Sequence, residues 1–243
     1  MTITENNVIG ELVALDYRTA EVFSNYKIDF CCKGNQTIQE VCDKKKIDQG
    51  KLLNDLNAIK DSVSTPADSY NAWPLDLLAD YIEKKHHRYV TEKTEVIKKY
   101  LTKVSSVHGA AHPELYEIHD EFMECAGALA AHMKKEELVL FPFIRKMVTT
   151  TDKLSAPHFG TVENPIAMMK HEHTVEGERF EKIATLSNNY TPPAEACNTY
   201  RVTYALLKEF EQDLHLHIHL ENNILFPKAI ALEAELNPTS CAI

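Results

Sequence analysis

A short motif occurs twice in this 243-residue chain and restricts its fold more than any other feature. His132-Met-Lys-Lys-Glu136 and His217-Ile-His-Leu-Glu221 share one histidine–glutamate spacing, and Leu-Phe-Pro follows each at the same distance. Side chains four residues apart lie on the same face of an α-helix, one turn from each other. Two such helices facing one another would bring two imidazoles and two carboxylates together. The motif therefore predicts a metal site inside a helical bundle.

Composition and periodicity predict an all-α protein. The chain has only 7 glycines, and its long uninterrupted stretches are rich in Leu, Ala, Glu and Lys. Apolar stripes with helical spacing cover about 75–104, 113–149, 165–187 and 194–234. A proline, which fits the first helical turn, lies at or near the start of each: Pro74, Pro113, Pro165 and Pro193. These four patterns predict a four-helix bundle.

The first 60 residues have shorter helical patterns and predict a small helical domain. Thr37-Ile-Gln-Glu40 has the form of a capping box that begins one of its helices, and Cys31-Cys32 lies in the turn before it. A core of this size is marginal, so we expect the domain to pack against another part of the chain. The predicted division is a small helical domain 1–60, a linker 61–73, the bundle 74–234 and a tail 235–243.

Charge and hydropathy exclude several classes of function. A formal net charge of −10 disfavours binding to nucleic acid or anionic lipid. No apolar run approaches the roughly 20 residues that span a bilayer, and the N-terminus lacks the features of a secretory signal. Six cysteines are too few and too irregularly spaced for a disulfide scaffold. We therefore expect a soluble cytoplasmic protein with reduced thiols.

Two further histidines complete the predicted metal site. His86 and His173 lie on the apolar stripes of the first and third bundle helices, 46 and 44 residues before the histidines of the repeated motif. The bundle therefore resembles two related helical hairpins. A buried histidine or glutamate costs several kcal/mol unless it is paired or ligated. The predicted ligands are His86, His132, Glu136, His173, His217 and Glu221.

The donor types favour two iron ions. Structural zinc usually takes four ligands that include cysteine, and calcium and magnesium prefer oxygen. Histidine mixed with carboxylate inside a bundle suits iron, with manganese as an open alternative. In the simplest arrangement each non-haem iron has two histidines, Glu136 and Glu221 bridge both ions, and an oxo or hydroxo group adds a further bridge. We expect His87 at most to support a ligand, and His215 and His219 to lie on a polar face.

The adjacent Cys31 and Cys32 allow three interpretations. They can be two small buried hydrophobic residues. A disulfide between neighbouring cysteines needs a strained ring, which disfavours a stable bridge. A redox or metal-transfer role is favoured by Lys33, whose charge would stabilise a thiolate. The residues alone leave the choice open.

The combination of motifs resembles the iron–sulfur cluster repair di-iron proteins, also called the repair-of-iron-centres family. Asp29-Phe-Cys31-Cys32 with Gly34 is similar to that family's N-terminal cysteine-pair domain, and residues 75–234 are similar to its hemerythrin-like domain. The resemblance implies that the family's ligands fall on the six residues named above. Cys31 and Cys32 are then candidate redox or iron-transfer thiols.

The resemblance also implies a function. It suggests a bacterial cytoplasmic protein, made under nitrosative or oxidative stress, that restores damaged iron–sulfur clusters by supplying iron from a labile oxo-bridged di-iron centre. Expected partners are iron–sulfur proteins or the cluster-assembly machinery, and the family tends to form homodimers. One alternative is an enzyme that reduces nitric oxide at the di-iron centre. Another is a hemerythrin-type dioxygen binder or sensor, which the count of six ligands disfavours.

Overall fold

A computed structural model describes residues 2–60, 70–150 and 157–237. These residues form eight helices and no β-strand, which confirms the predicted all-α class. The first four helices are short: α1 Ile9–Leu15, α2 Thr19–Asn25, α3 Ile38–Lys45 and α4 Gln49–Lys60. The capping box at the start of α3 is confirmed, since the Thr37 side chain accepts the Glu40 N–H and the Glu40 carboxylate accepts the Thr37 N–H.

Four long helices follow, and three of them contain a π-helical turn. Helix α5 comprises Leu75–Tyr81, the π turn Ile82–His87 and Arg88–His108. Helix α6 comprises Glu114–Lys135, the π turn Glu136–Leu140 and Phe141–Thr149. Helix α7 is Glu163–Leu186, and helix α8 comprises Asn198–Leu220, the π turn Glu221–Leu225 and Phe226–Leu236.

The long helices form a closed bundle in chain order. Helix α6 packs against α5 and α7, and α8 packs against α7 and returns to α5. This up-down-up-down order is the commonest solution for four helices joined by short connections. The predicted bundle is thus confirmed, with helix ends shifted by a few residues. Pro193, expected near a helix start, precedes α8 by five positions and lies in the connection.

The bundle core has two apolar layers with a polar layer between them. One layer contains Val90, Leu129, Phe180 and Leu214 together with the N-terminal helices. The other layer lies towards the opposite end of the same four helices and contains Ile82, Leu140, Ile166 and Ile224. The histidines and glutamates of the repeated motif lie between these layers in the sequence of α6 and α8. Apolar packing above and below therefore fixes the depth of the polar layer.

The short N-terminal helices cover one side of α8. Their apolar residues are continuous with the bundle core, as the marginal size of the segment led us to expect. His219 is 0 % exposed in this contact, with ring centroids of Tyr17 and Phe30 at 5.7 and 6.0 Å. The prediction that His219 lies on a polar face is therefore wrong, because α1 and the turn around Phe30 bury the His219 ring.

The predicted division into domains falls partly outside the described residues. Residues 61–69 of the predicted linker and 238–243 of the predicted tail are not described, and the boundaries stay a prediction. The five cysteines of the described ranges all carry free thiols. None of the helices seen in residues 2–60, 70–150 and 157–237 has the length and hydropathy needed to span a bilayer.

Candidate metal centre

Donor atoms from four helices converge in the polar layer as two overlapping sets. One set is His87, Glu136, His217 and Glu221, and the other is His132, Glu136, His173 and Glu221. Within each set, one donor atom from every residue lies within 4.8 Å of the others, and all six residues are buried. Both sets contain both glutamates. Glu136 and Glu221 thus lie where the two sets overlap.

His86, one of the predicted ligands, belongs to neither donor set, and its neighbour His87 belongs to one of them. The His86 ring stacks on His217 with centroids 5.6 Å apart, and its Nδ1–H donates to Asp213 at 3.0 Å. The cause is the π turn Ile82–His87, which closes hydrogen bonds over five residues instead of four. Both histidines are buried, but one turn after Ile82 it is therefore His87 that faces Glu136. A regular α-helix would place His86 there.

Short distances link the imidazoles to the two carboxylates. The Nε2 atoms of His87 and His132 each lie 3.3 Å from Glu136 Oε2. Glu221 has the corresponding position on α8, with His173 Nε2 at 3.1 Å from Oε2 and His217 Nε2 at 3.1 Å from Oε1. The two histidine–glutamate motifs thus face each other as predicted.

Three of the four rings are held from behind through Nδ1. The His87 Nδ1–H donates to Glu137 Oε1 at 2.7 Å, and that of His132 donates to Glu172 Oε2 at 2.8 Å. The third ring, His173, is bonded at 2.9 Å to Asn222 Oδ1. Partners of this kind fix the tautomer and orientation of metal-binding histidines. A partner for a histidine ring could not be read from helical periodicity, although each of these residues adjoins a motif position.

The unpaired donor atoms fit a cation. Both carboxylate oxygens of Glu136, Oε2 of Glu221 and Nε2 of His87 are buried, and the close approaches described above give none of them a hydrogen bond of normal geometry. Such atoms are rare in folded proteins unless an ion or water satisfies them. Burial alone would lower the pKa of His132, but the Glu136 carboxylate beside it raises that pKa to about 9. A nitrogen and oxygen set without thiolate suits iron or manganese better than structural zinc.

The cysteine pair lies close to the centre but outside it. Cys31 is buried and Cys32 is half-buried, with their Sγ atoms 3.7 Å apart. Burial and its cysteine neighbour raise the pKa of the Cys31 thiol well above its usual range. The Cys32 thiol donates to the carbonyl oxygen of His173 at 3.3 Å. The structure therefore brings the two predicted regions, the thiol turn and the metal centre, into direct contact.

A closed bundle with histidines and glutamates in its middle layer defines a hemerythrin-like metal-binding protein. Comparisons with known families agree. The model of the hemerythrin HHE cation binding domain matches residues 78–229, and a model described as a domain of unknown function, DUF542, matches residues 5–60.

Named relatives match over nearly the full chain. An iron-sulfur cluster repair protein ScdA of Staphylococcus haemolyticus is 32% identical over 228 residues, which cover 93% of this chain and 99% of the relative. The iron-sulfur cluster repair proteins YtfE of Musicola paradisiaca and Dickeya chrysanthemi are 35% and 34% identical, and the matches cover 93% and 91% of this chain and 97% and 96% of the relatives. The chain belongs to this family of iron–sulfur cluster repair proteins.

Proposed function

We propose that the centre holds two iron ions bridged by Glu136 and Glu221. His87 and His217 complete one position, and the remaining two histidines, His132 and His173, complete the other. The observation that carries this proposal is the presence of both glutamates in both donor sets. Iron bound there would supply an exchangeable, redox-active cation. Manganese in place of iron stays an alternative prediction. An oxo or hydroxo group as a further bridge also stays a prediction.

A surface cleft of about 330 Å³ is lined in part by His87, a proposed ligand that is otherwise buried. Glu137 and charged residues such as Glu83, Lys84 and Arg88 also line it. The Glu137 carboxylate that holds the His87 ring is itself partly exposed. Of the two positions, the one built by His87 and His217 is therefore nearer to solvent. We infer that this position exchanges its ion more readily.

The function that this site supports best is repair of iron–sulfur clusters by donation of iron. Relatives of nearly equal length bear the name iron-sulfur cluster repair protein. A buried centre with mixed nitrogen and oxygen ligands retains iron without using thiolates, which bind Fe–S clusters themselves. The expected acceptors are therefore proteins with apo or damaged iron–sulfur clusters, reached directly or through the assembly machinery.

Labelled iron tests the donation. The protein is loaded with an iron isotope and mixed with an apo iron–sulfur protein, a cysteine desulfurase and cysteine, with excess iron chelator in solution. Donation predicts label in the rebuilt cluster despite the chelator, and free labelled iron salt serves as the control that the chelator removes. If the acceptor receives no label, or receives no more than from the free salt, iron donation is wrong.

The other expectations of the sequence are not tested by the fold. Nitric oxide reduction and dioxygen binding stay alternative predictions, because the names of the relatives carry the repair function only. A homodimer and a cytoplasmic location likewise stay predictions.

A further inference from the structure

The turn that carries the cysteine pair is fixed against the bundle by two neighbouring asparagines of α8. The Asn222 side-chain amide donates to the Cys31 carbonyl oxygen at 3.1 Å, and that of Asn223 donates to the Phe30 carbonyl oxygen at 3.1 Å. Helix α7 has Gly177 at the contact, where an added Cβ would lie 3.1 Å from Cys32 Sγ. The turn therefore has a defined position next to the helix that carries His173.

Three donors of this turn lie close together. One atom each of Asp29, Cys31 and Cys32 lies within 4.8 Å of the others, and Asp29 Oδ1 is 3.3 Å from Cys31 Sγ. Two thiolates bound at about 2.3 Å to one tetrahedral ion are about 3.8 Å apart, close to the separation seen here. A disulfide would need about 2.05 Å. The two thiols, which share a hydrogen bond at 3.7 Å, thus stand at a separation that a shared ion can use.

We propose that Asp29, Cys31 and Cys32 form a second metal-binding site for a thiophilic divalent cation such as Fe²⁺. The cation enters with the loss of two thiol protons to solvent, and two metal–sulfur bonds and one bond to the carboxylate form. The site has a charge of −1 before and after, and no electron is transferred. The His173 carbonyl oxygen, 3.3 Å from Cys32 Sγ, offers a fourth donor. Cys32 and Asp29 are partly exposed, which gives the cation a route from solvent.

One residue connects this site with the di-iron centre. Asn222 bonds the His173 ring through Oδ1 and the Cys31 backbone through its amide group. The thiol site therefore lies beside the His132 and His173 position and would receive the ion of that position, whereas the ion of the His87 and His217 position exchanges through the surface cleft. This relay rests on the proposed function, because the transferred ion is the iron of the centre.

Cobalt(II) is the probe for binding. Full-length protein with an iron-filled centre is titrated with Co²⁺ without oxygen and with a non-thiol reductant, and sulfur-to-cobalt charge-transfer absorption is followed. Wild-type protein should show this band at one equivalent, and the double variant Cys31→Ser, Cys32→Ser should lose it. Asp29→Asn should weaken cobalt binding by about tenfold or more. Cys197→Ser changes an exposed thiol whose partner is His108, outside the turn, and should leave the band unchanged.

A wild-type protein without the band, or a band that survives in the double variant, would overturn the second site. If the double variant does not fold, the single variant Cys32→Ser, at the more exposed position, provides the test, because it should lose roughly half of the band intensity and a band of full intensity would overturn the site. Iron in the same samples is measured separately. A centre without iron would contradict the proposed function, but a cobalt–thiolate band would still establish the thiol site.

Iron transfer to an external chelator tests the relay. Cys32→Ser should retain the iron content of the wild type. It should slow the release of the ion held by His132 and His173, the slower of the two ferrous ions to reach the chelator, by about tenfold or more. Release at the wild-type rate would overturn the role of this site as the receiver of iron.

Discussion

Two adjacent histidines of α5 have different surroundings and should respond differently to the same substitution. His87→Gln removes a donor whose Nε2 faces Glu136, and we expect the protein to lose one of the two iron ions proposed for the centre. His86→Gln keeps a donor for Asp213 and should retain both ions. Metal analysis of the two purified variants after identical reconstitution checks this. Loss of iron from His86→Gln with retention in His87→Gln would show that His86 is the ligand, as the regular α-helical count predicts.

A second prediction at this scale concerns Glu211 on α8. Burial raises the pKa of Glu211 to about 7, above the value of an unfolded chain. The folded state therefore binds this proton more tightly, and its contribution to stability is complete below about pH 4.5 and lost as the pH rises through about 7. Glu211→Gln should be more stable than wild type at pH 8, by up to about 3 kcal/mol, and nearly equal to it near pH 4.5.

Urea unfolding at the two pH values measures this difference. The control is Glu209→Gln on the same helix. Lys93 lowers the pKa of Glu209, so the charged form of this carboxyl stabilises the fold and the expected change in stability has the opposite sign. That variant should lose stability at pH 8. Equal stability of Glu211→Gln and wild type at pH 8 would show that the carboxyl is solvated.

How far the sequence predicts the site depends on the residue. Four of the six proposed ligands follow from spacing, because a histidine and a glutamate four residues apart share a face in any α-helix. A fifth, His173, follows from its place on an apolar stripe. His87 could not be predicted in this way, because periodicity assumes a constant turn. His132 lies 45 residues after His87 and 46 residues after His86. The first separation is closer to the 44 residues between His173 and His217 in the second hairpin, which is a weak signal in favour of His87.

At the scale of elements, the turn before α3 depends on a glycine. A Cβ on Gly34 would lie 2.3 Å from the Phe30 carbonyl oxygen, and the Gly34 carbonyl oxygen accepts the Gly10 N–H of α1 at 2.7 Å. Gly34→Ala should therefore shift the cysteine turn and destabilise the protein by about 1–3 kcal/mol. Chemical denaturation and the cobalt band of the thiol site both report the change.

Gly50→Ala is the matched control. The nearest atom to an added Cβ at Gly50 is Oδ1 of Asp48, just before α4, at 3.5 Å, which is an ordinary contact. Alanine there should be neutral or should stabilise the helix by up to about 1 kcal/mol. Equal effects of the two substitutions would mean that the close approach at Gly34 does not constrain the turn.

The helices themselves could largely be predicted from the sequence, but their irregularities could not. Apolar stripes define where a long helix exists, because burial of one face decides it. The π turns Glu136–Leu140 and Glu221–Leu225 each begin at a proposed bridging glutamate and end before Phe-Pro. Proline cannot donate the N–H that a continuous α-helix needs. The repeated Leu-Phe-Pro therefore indicates that the α-helical hydrogen-bond pattern is interrupted there. It does not indicate whether the interruption is a π turn, a kink or a break.

At the scale of the whole molecule, Asn223 joins the N-terminal helices to the bundle. Its amide group donates to Phe30 O at 3.1 Å and to His219 Nδ1 at 2.9 Å. Asn223→Ala leaves both acceptors buried without this donor, which costs about 1–3 kcal/mol. We expect faster amide hydrogen exchange in α1 and α2 and unchanged exchange in α6. The exposed Asn198 on the same helix provides the control Asn198→Ala. Uniform acceleration in all helices would contradict local undocking.

Iron binding should control the stability of the entire bundle, because its ligands come from all four long helices. These donors meet only in the folded chain, so each bound ion stabilises it by about 2.7 kcal/mol when free iron is about 100 times the Kd. With roughly 2–4 °C per kcal/mol for a domain of this size, loading both positions should raise the Tm by roughly 10 °C or more.

Thermal unfolding of the metal-free and iron-loaded protein, followed by circular dichroism, measures this shift. Magnesium prefers oxygen ligands and should produce a much smaller shift, which separates a specific effect from general screening of charge. The His87→Gln variant should show roughly half of the wild-type gain, because one position loses a ligand while the other stays complete. If iron binds stoichiometrically without raising the Tm, the ligands cannot span the four helices, and a centre between the two apolar layers is excluded.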